Sequence, residues 1–306
     1  MSFSKDTKNS LCAFALKNGC CRLSLLYGIL LFGNSFERKR IRLITENERT
    51  SELVMRILRE CFDINGNLYI SEKHSGGVRR SSYKVTVSAS ADLKKIFSSF
   101  GYSEDEPLDR MHPELFVCSE CVRSFLRGVF LAGGTISDPE SESGYRLDIT
   151  AENDGLIDDL IELLSAYGIS PKRASRKTTN VAYFNESEPL EDFLTFIGAG
   201  QAALTLMNVK VMREVRNNQN RASNCDVANI GKTTAAAQEI IRMIKLLQST
   251  GRFDTLPDDI KATAKLRFDN PEASLVELAS LHEPPISKSG VNHRLAKLKA
   301  YIEEMN

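Results

Sequence analysis

The residues best placed to do chemistry lie near the end of the chain, where "ISKSGVNHRLAKL" spaces Val291, Leu295 and Leu298 four and three residues apart. With Ile302 they form the stripe that a helix would bury. Once that stripe is buried, Ser287, Lys288, Ser289, Asn292 and His293 crowd the exposed start of the helix, with Arg294, Lys297 and Lys299 beside them. Asn can pair with adenine, and Ser or Lys can donate to guanine acceptors. Arg294, Lys297 and Lys299 would hold phosphates, which sets affinity and salt dependence rather than sequence preference. The cysteines, at positions 12, 20, 21, 61, 118, 121 and 225, form a second reactive set. Cys118-x-x-Cys121 and the adjacent Cys20–Cys21 invite a zinc reading. Neither group has a histidine immediately beside it, and each just precedes an apolar helix. Helix-entry packing is therefore the preferred role, and no metal or cofactor is expected. An odd number of cysteines without a regular framework fits a reducing compartment.

The elements that would position the C-terminal side chains can be read from their boundaries. Ser274 with Glu277 forms a capping box, so a helix starts there and buries Leu275, Leu278, Ala279 and Leu281. Pro284 and Pro285 cannot continue it, and Ser287 can cap the next helix. This is a helix-turn-helix over Ser274 to Met305, whose second helix would enter the major groove. The competing reading is two antiparallel helices with a solvated polar face. Upstream, Ile240, Ile241, Ile244 and Leu247 mark a helix starting near Thr233, and another spans about Pro257 to Phe268 before Asn270–Pro271 stops it. Residues 233–306 therefore read as an all-α domain. The polar, Asn-rich stretch 214–232 reads as a linker that a preceding helix runs into.

The first 213 residues read as a duplication. Gly28 and Gly128 are 100 positions apart, as are Gly33 and Gly133, in "LLYGILLFG" and "FLRGVFLAGG". A turn and an alternating strand follow each, "RIRLIT" from Arg40 and "YRLDIT" from Tyr145. Helical stripes come next, Leu53, Val54, Ile57, Leu58 and Cys61 in one copy and Leu156, Ile157, Leu160, Ile161 and Leu164 in the other. Two further strands and a short helix close each copy. The fold class is α+β, an αββαββα unit used twice (about 1–100 and 101–213) and followed by the helical domain.

Two glycine-bearing helices from a duplicated αββαββα unit resemble the LAGLIDADG homing endonuclease architecture. That resemblance implies two helices packed backbone to backbone, a sheet saddle over DNA, and a metal-holding acid at the C-terminal end of each helix. On this sequence the acid positions fall at Gly33 and Gly133, and both acids are missing. Clamping a hard divalent cation for phosphodiester cleavage needs carboxylates. Glu37 and Asp138 lie a few residues downstream, in predicted turns and one position out of register with each other, so no catalytic residue is expected. Basic clusters on the strands and loops would fit a DNA-facing saddle: Arg38, Lys39, Arg40 and Arg42; Arg79, Arg80 and Lys84; Lys172, Arg173, Arg176 and Lys177.

Taken together and in order, "CCRLSLLYGILLFG", "FLRGVFLAGGTISDPE", "NRASNCDVANIGKT", "NPEASLVELASL" and "ISKSGVNHRLAKL" resemble the WhiA family of bacterial transcriptional regulators over essentially the whole chain. The resemblance implies a degenerate LAGLIDADG-like domain joined to a helix-turn-helix domain similar to region four of sigma factors. It also implies DNA binding by the second domain and links to cell division, chromosome segregation and sporulation. Bulk properties neither add to nor oppose this. Lys+Arg and Asp+Glu balance at 40 each, so the location of the cations matters more than their number. The longest apolar stretch, about ten residues from Leu23, is half a bilayer crossing. With no signal-peptide layout at the N-terminus, a cytoplasmic, nucleoid-associated monomer is expected, with double-stranded DNA as partner and RNA polymerase or another regulator as a further one. A metal-dependent endonuclease and an adaptor for the transcription machinery are the alternatives.

Overall fold

The alternation of apolar residues that marks "RIRLIT" gives a strand with Ile41, Leu43 and Thr45 buried and Arg40, Arg42 and Ile44 on the other face. The computed structural model to which it belongs describes residues 2–16, 18–75, 78–141, 144–176 and 179–303. The chain divides into two units, Met1–Arg213 and Glu214–Asn306.

In the first unit a helix absent from the sequence reading comes first, α1 (Phe3–Cys12), capped by the Ser2 hydroxyl, which accepts from the Lys5 N–H. The first repeat follows as α2 (Gly19–Leu31), β1 (Ser35–Glu37), β2 (Arg40–Thr45), α3 (Glu48–Phe62), β3 (Asn67–Ser75), β4 (Val78–Val87) and α4 (Ser90–Ser99). The second runs α5 (Ser119–Gly133), β5 (Gly134–Ile136), β6 (Leu147–Ala151), α6 (Asp154–Ala166), β7 (Lys172–Arg176), β8 (Thr179–Phe184) and α7 (Ser187–Phe196). Both repeats are αββαββα, as the sequence predicts. Their sheets share one antiparallel order, β1-β2-β4-β3 and β5-β6-β8-β7. Ile41 pairs with Val87 and Leu43 with Val85, as Leu147 pairs with Phe184 and Ile149 with Ala182. These pairs are buried, so each sheet turns one apolar face inward.

The glycines at the centre act as the spacing predicts. A Cβ built on Gly28 would lie 2.3 Å from the Phe125 carbonyl oxygen, and one on Gly128 would lie 2.2 Å from that of Leu25. Helices α2 and α5 thus touch backbone to backbone, each through its own glycine. The segment between the repeats is pinned by polar bonds that no motif announces. Arg110 and the Met111 N–H both donate to buried Asp159, and the Tyr27 hydroxyl bonds to that of Tyr102 at 2.8 Å.

Helix α8 (Gly200–Ser249) corrects the reading of 214–232 as a linker, because the helix runs through that stretch unbroken. Every side chain from 214 to 228 is exposed, so the segment carries no apolar stripe, and without one its helical period is invisible in the sequence. No proline interrupts it. In the second unit, Ile240, Ile244 and Leu247 of α8 pack in one core with α9 (Asp258–Asp269), α10 (Leu275–Ser280) and α11 (Lys288–Glu303). The Ser274–Glu277 capping box is present. Leu281 departs from expectation. Helix α10 ends at Ser280, and Leu281, just past its end, is 46% exposed rather than buried. Among the described residues no helix is long and apolar enough to cross a membrane.

Candidate nucleic-acid interface

Burial of Val291, Leu295, Leu298 and Ile302 fixes which way α11 faces. Ser287, Lys288, Ser289, Asn292, His293 and Lys297 are then exposed. The Ser287 hydroxyl accepts from the Gly290 N–H at 3.1 Å and lies 2.9 Å from the Ser289 hydroxyl, so the start of the helix is ordered by its own side chains. Lys288 and Lys297 form no ion pair among the described residues. Arg294 and Lys299, grouped with Lys297 in the sequence reading, are tied inside the unit. Arg294 pairs with Asp259 of α9 at 3.6 Å, and Lys299 with Glu239 of α8 at 3.0 Å. Two side chains missed by the sequence reading hold the motif in place. Arg267, buried in α9, donates to the Ala273 carbonyl at 2.5 Å and so fixes the loop entering α10. His282, after α10, contacts the Thr263 hydroxyl at 3.3 Å; burial, with Arg294 nearby, holds its pKa below the usual histidine value. An Arg in the last turn of α9 and a His two residues before the Pro pair are the only hints of either. Of the expected motif, Met305 lies outside the described residues.

The two sheets of the first unit treat their basic residues differently. On the first, Arg40, Arg42 and Lys84 alternate with the buried residues, so they lie on the face turned from the core; Lys39 sits exposed in the β1–β2 turn. None of the four forms an ion pair among the described residues. Lys84 lies 5.5 Å from the ring centre of Tyr69, which is 57% exposed on the neighbouring strand. Arg38 is not part of this face: it donates to the carbonyls of Ser103 and Glu106 and covers the Phe97 ring. Arg79 and Arg80 are on β4 and Arg176 ends β7, while Lys177 lies outside the described residues. On the second sheet Lys172 pairs with Glu186 at 2.6 Å, and Arg173 with Asp154 and Asp158. These carboxylates accept hydrogen bonds from Lys172 and Arg173 and raise the pKa of each. Two of the four cations predicted there, Lys172 and Arg173, are thus paired with carboxylates.

At the corner where a nuclease would hold its metal, a side chain is blocked at Gly133 and only tightly accommodated at Gly33. A Cβ on Gly133 would lie 2.6 Å from the Thr150 carbonyl oxygen, and one on Gly33 would lie 3.2 Å from that of Arg42. Glu37 is exposed at the end of β1, not in a turn as expected, and accepts from the Ser35 hydroxyl at 2.7 Å. Asp138 is also exposed and accepts from the Glu140 N–H. Neither joins a group of three or more potential ligands; among the described residues only Cys20, Cys21, Cys118 and Cys121 do.

A two-sheet unit with glycine-crossed helices, followed by a helical unit with a helix-turn-helix, is also what comparison with known proteins returns. The WhiA LAGLIDADG-like domain matches residues 122–216, and the WhiA C-terminal HTH domain matches residues 219–302. A probable cell division protein WhiA of Ruminiclostridium cellulolyticum is 37% identical over 312 residues, taking in 100% of this chain and 98% of that one. The chain belongs to the WhiA family. A WhiA protein of Clostridium novyi with the same description is 34% identical over 316 residues, again across 100% of this chain and 98% of the other. Among solved structures, full-length DUF199/WhiA from Thermatoga maritima has a TM-score of 0.59 at 20% identity, with 99% of each chain covered. The N-terminal LAGLIDADG domain of DUF199/WhiA has a TM-score of 0.50 at 19% identity over 64% of this chain and 90% of that one. At such identities these two share a fold with the present WhiA chain, which is the LAGLIDADG-like architecture predicted from the glycine repeat.

Proposed function

We propose that this WhiA chain is a sequence-specific, double-stranded DNA-binding regulator of genes for cell division and chromosome segregation, and of sporulation in sporulating hosts, without catalytic activity of its own. The observation that carries this reading is the start of α11. Exposed Ser289, Asn292 and His293 there adjoin Lys288 and Lys297, neither of which has a carboxylate partner among the described residues. Groups that can read base edges are thereby combined with cations that can meet phosphates. The cell-division descriptions of the relatives support the choice of target genes. Loss of the nuclease role is supported by the lack of a carboxylate at Gly33 and Gly133, and at Gly133 by a backbone oxygen that fills the space an acid would need. Nucleoid association in the cytoplasm follows from such a role.

Selecting bound sequences from a random duplex pool with the full chain, then titrating salt, tests this. Lys288→Gln and Lys297→Gln should weaken every duplex alike and each lower the salt slope by about 1. Asn292→Ala should relax preference at one base position by about 1–3 kcal/mol. Unchanged slopes would instead favour the adaptor reading. Magnesium-dependent strand cleavage abolished by Glu37→Gln or Asp138→Asn would restore the nuclease.

A further inference from the structure

Two cysteine pairs that the sequence keeps about a hundred residues apart meet at the N-terminal end of the central helix pair. Cys20 and Cys21 lie in the first turn of α2; Cys118 caps α5, and Cys121 lies in its first turn. The Cys118 sulfur is 3.7 Å from that of Cys20, 3.5 Å from that of Cys21 and 3.4 Å from that of Cys121. All four sulfurs lie within 4.8 Å of one another. At a Zn–S length of about 2.3 Å, a regular tetrahedron separates its sulfurs by about 3.8 Å. A disulfide would need about 2.05 Å, and all four residues are free thiols. A four-iron cubane would spread its cysteine sulfurs much further apart than these lie.

Packing alone does not explain this arrangement. A thiol is a weak donor and a weak acceptor, so four of them gathered around one point satisfy one another poorly. The electrostatics also leave a place for negative charge. α2 and α5 meet at their N-terminal ends through Cys21 and Cys118, 3.5 Å apart, and at their C-terminal ends, where a Cβ on Gly133 would lie 3.5 Å from the Phe32 carbonyl oxygen, so they run the same way. Their positive N-terminal ends therefore stand side by side. Arg127 is buried nearby, within electrostatic range of Cys21; its Nε donates to the Ile197 carbonyl, and its Nη1 has no hydrogen-bond partner among the described residues. A dication held by four thiolates carries a net charge of −2, which two helix ends and a guanidinium would stabilise. Cys21 and Cys121 are buried while Cys20 and Cys118 are partly exposed, so the point of convergence is shielded on one side and reachable on the other.

We propose that Cys20, Cys21, Cys118 and Cys121 form a structural tetrathiolate site for Zn²⁺ that clamps the two repeats together at the N-terminal end of α2 and α5. Binding converts four thiols and one Zn²⁺ into four Zn–S bonds and releases four protons to solvent, with no change of oxidation state. The site adds no chemistry. It cross-links a helix of one repeat to a helix of the other at the end opposite the missing acids.

Elemental analysis of the full chain, purified under reducing conditions without chelator, should find one zinc per chain. Exchange with Co²⁺ should give the ligand-field and sulfur-to-metal charge-transfer bands of a tetrahedral tetrathiolate. The Cys118→Ala, Cys121→Ala double variant should lose both, while Cys61→Ser and Cys225→Ser keep them. The cobalt spectrum is read on the unaltered chain, so a variant that fails to fold does not decide the matter. The proposal is overturned if the unaltered chain, incubated with excess Zn²⁺ and dialysed, retains no metal and shows all four thiols reactive. Visible bands of bound iron in the isolated protein, or two disulfides formed under reducing conditions, would overturn it equally.

Discussion

Gly28 and Gly128 are crowded by backbone rather than by side chains, which gives their replacement a definite cost. Gly128→Ala puts a Cβ 2.2 Å from the Leu25 oxygen, and Gly28→Ala puts one 2.3 Å from the Phe125 oxygen, so in either case the helices must move apart. Each change should lower stability by about 2–3 kcal/mol, the upper part of the overpacking range, read as a lower denaturant midpoint at unchanged slope. Gly231 gives the contrast. It is exposed in the middle of α8 with no atom within 4 Å of its Cβ position, so Gly231→Ala should stabilise by about 0.5–1 kcal/mol. At this scale the sequence was legible where an offset of 100 repeated a residue type, as it did for both glycines. The same offset relates Cys21 to Cys121, and it passed unused because each cysteine pair was judged beside its own helix. Arg267 and Asp159 could not be found this way, since a buried ion or guanidinium is recognised by its partners and not by its neighbours in sequence.

At the level of elements, the helix-turn-helix depends on a joint formed by α9, the end of α10 and α11, with His282 at its centre. Its folded pKa is depressed, so the unfolded chain binds a proton at a higher pH than the folded one does. Stability therefore falls as pH drops through the unfolded value of about 6.5 toward the folded one, by at most about 1.4 kcal/mol per pH unit. Urea unfolding of the full chain followed at the second unit should show this slope, and His282→Gln should flatten it. Elements with a buried face were read well: β2 matches "RIRLIT" residue for residue, and α11 follows its stripe. Elements without one were not. Helix α8 is exposed all round from 214 to 228, and short α1 buries only Thr7, Leu11 and Cys12, so neither stretch gives a strong period.

For the whole molecule, formal charge is balanced, yet its distribution is not. The first sheet keeps Lys39, Arg40, Arg42 and Lys84 without ion pairs among the described residues, whereas the second pairs Lys172 and Arg173 with carboxylates. If the first unit adds phosphate contacts to those of α11, Arg40→Gln with Arg42→Gln should lower the salt slope of DNA binding by up to about 2 and leave base preference intact. A chain in which only α11 touches DNA would show no change. The duplicated architecture was legible because two copies of one pattern corroborate each other, while the pairing of Lys172 and Arg173 with carboxylates of α6 and the start of α7 depends on how helix and strand pack and was not. The helix crossing also has a genetic consequence. Most tight contacts join two side chains, so a swelling at one can be answered by a shrinkage at the other, and such pairs drift together. Here the obstacle to a side chain at residue 28 or 128 is the partner's main chain, which every amino acid carries alike. Suppressor screens should therefore yield reversion to glycine, and paired substitution between the two positions offers the lineage no way around them.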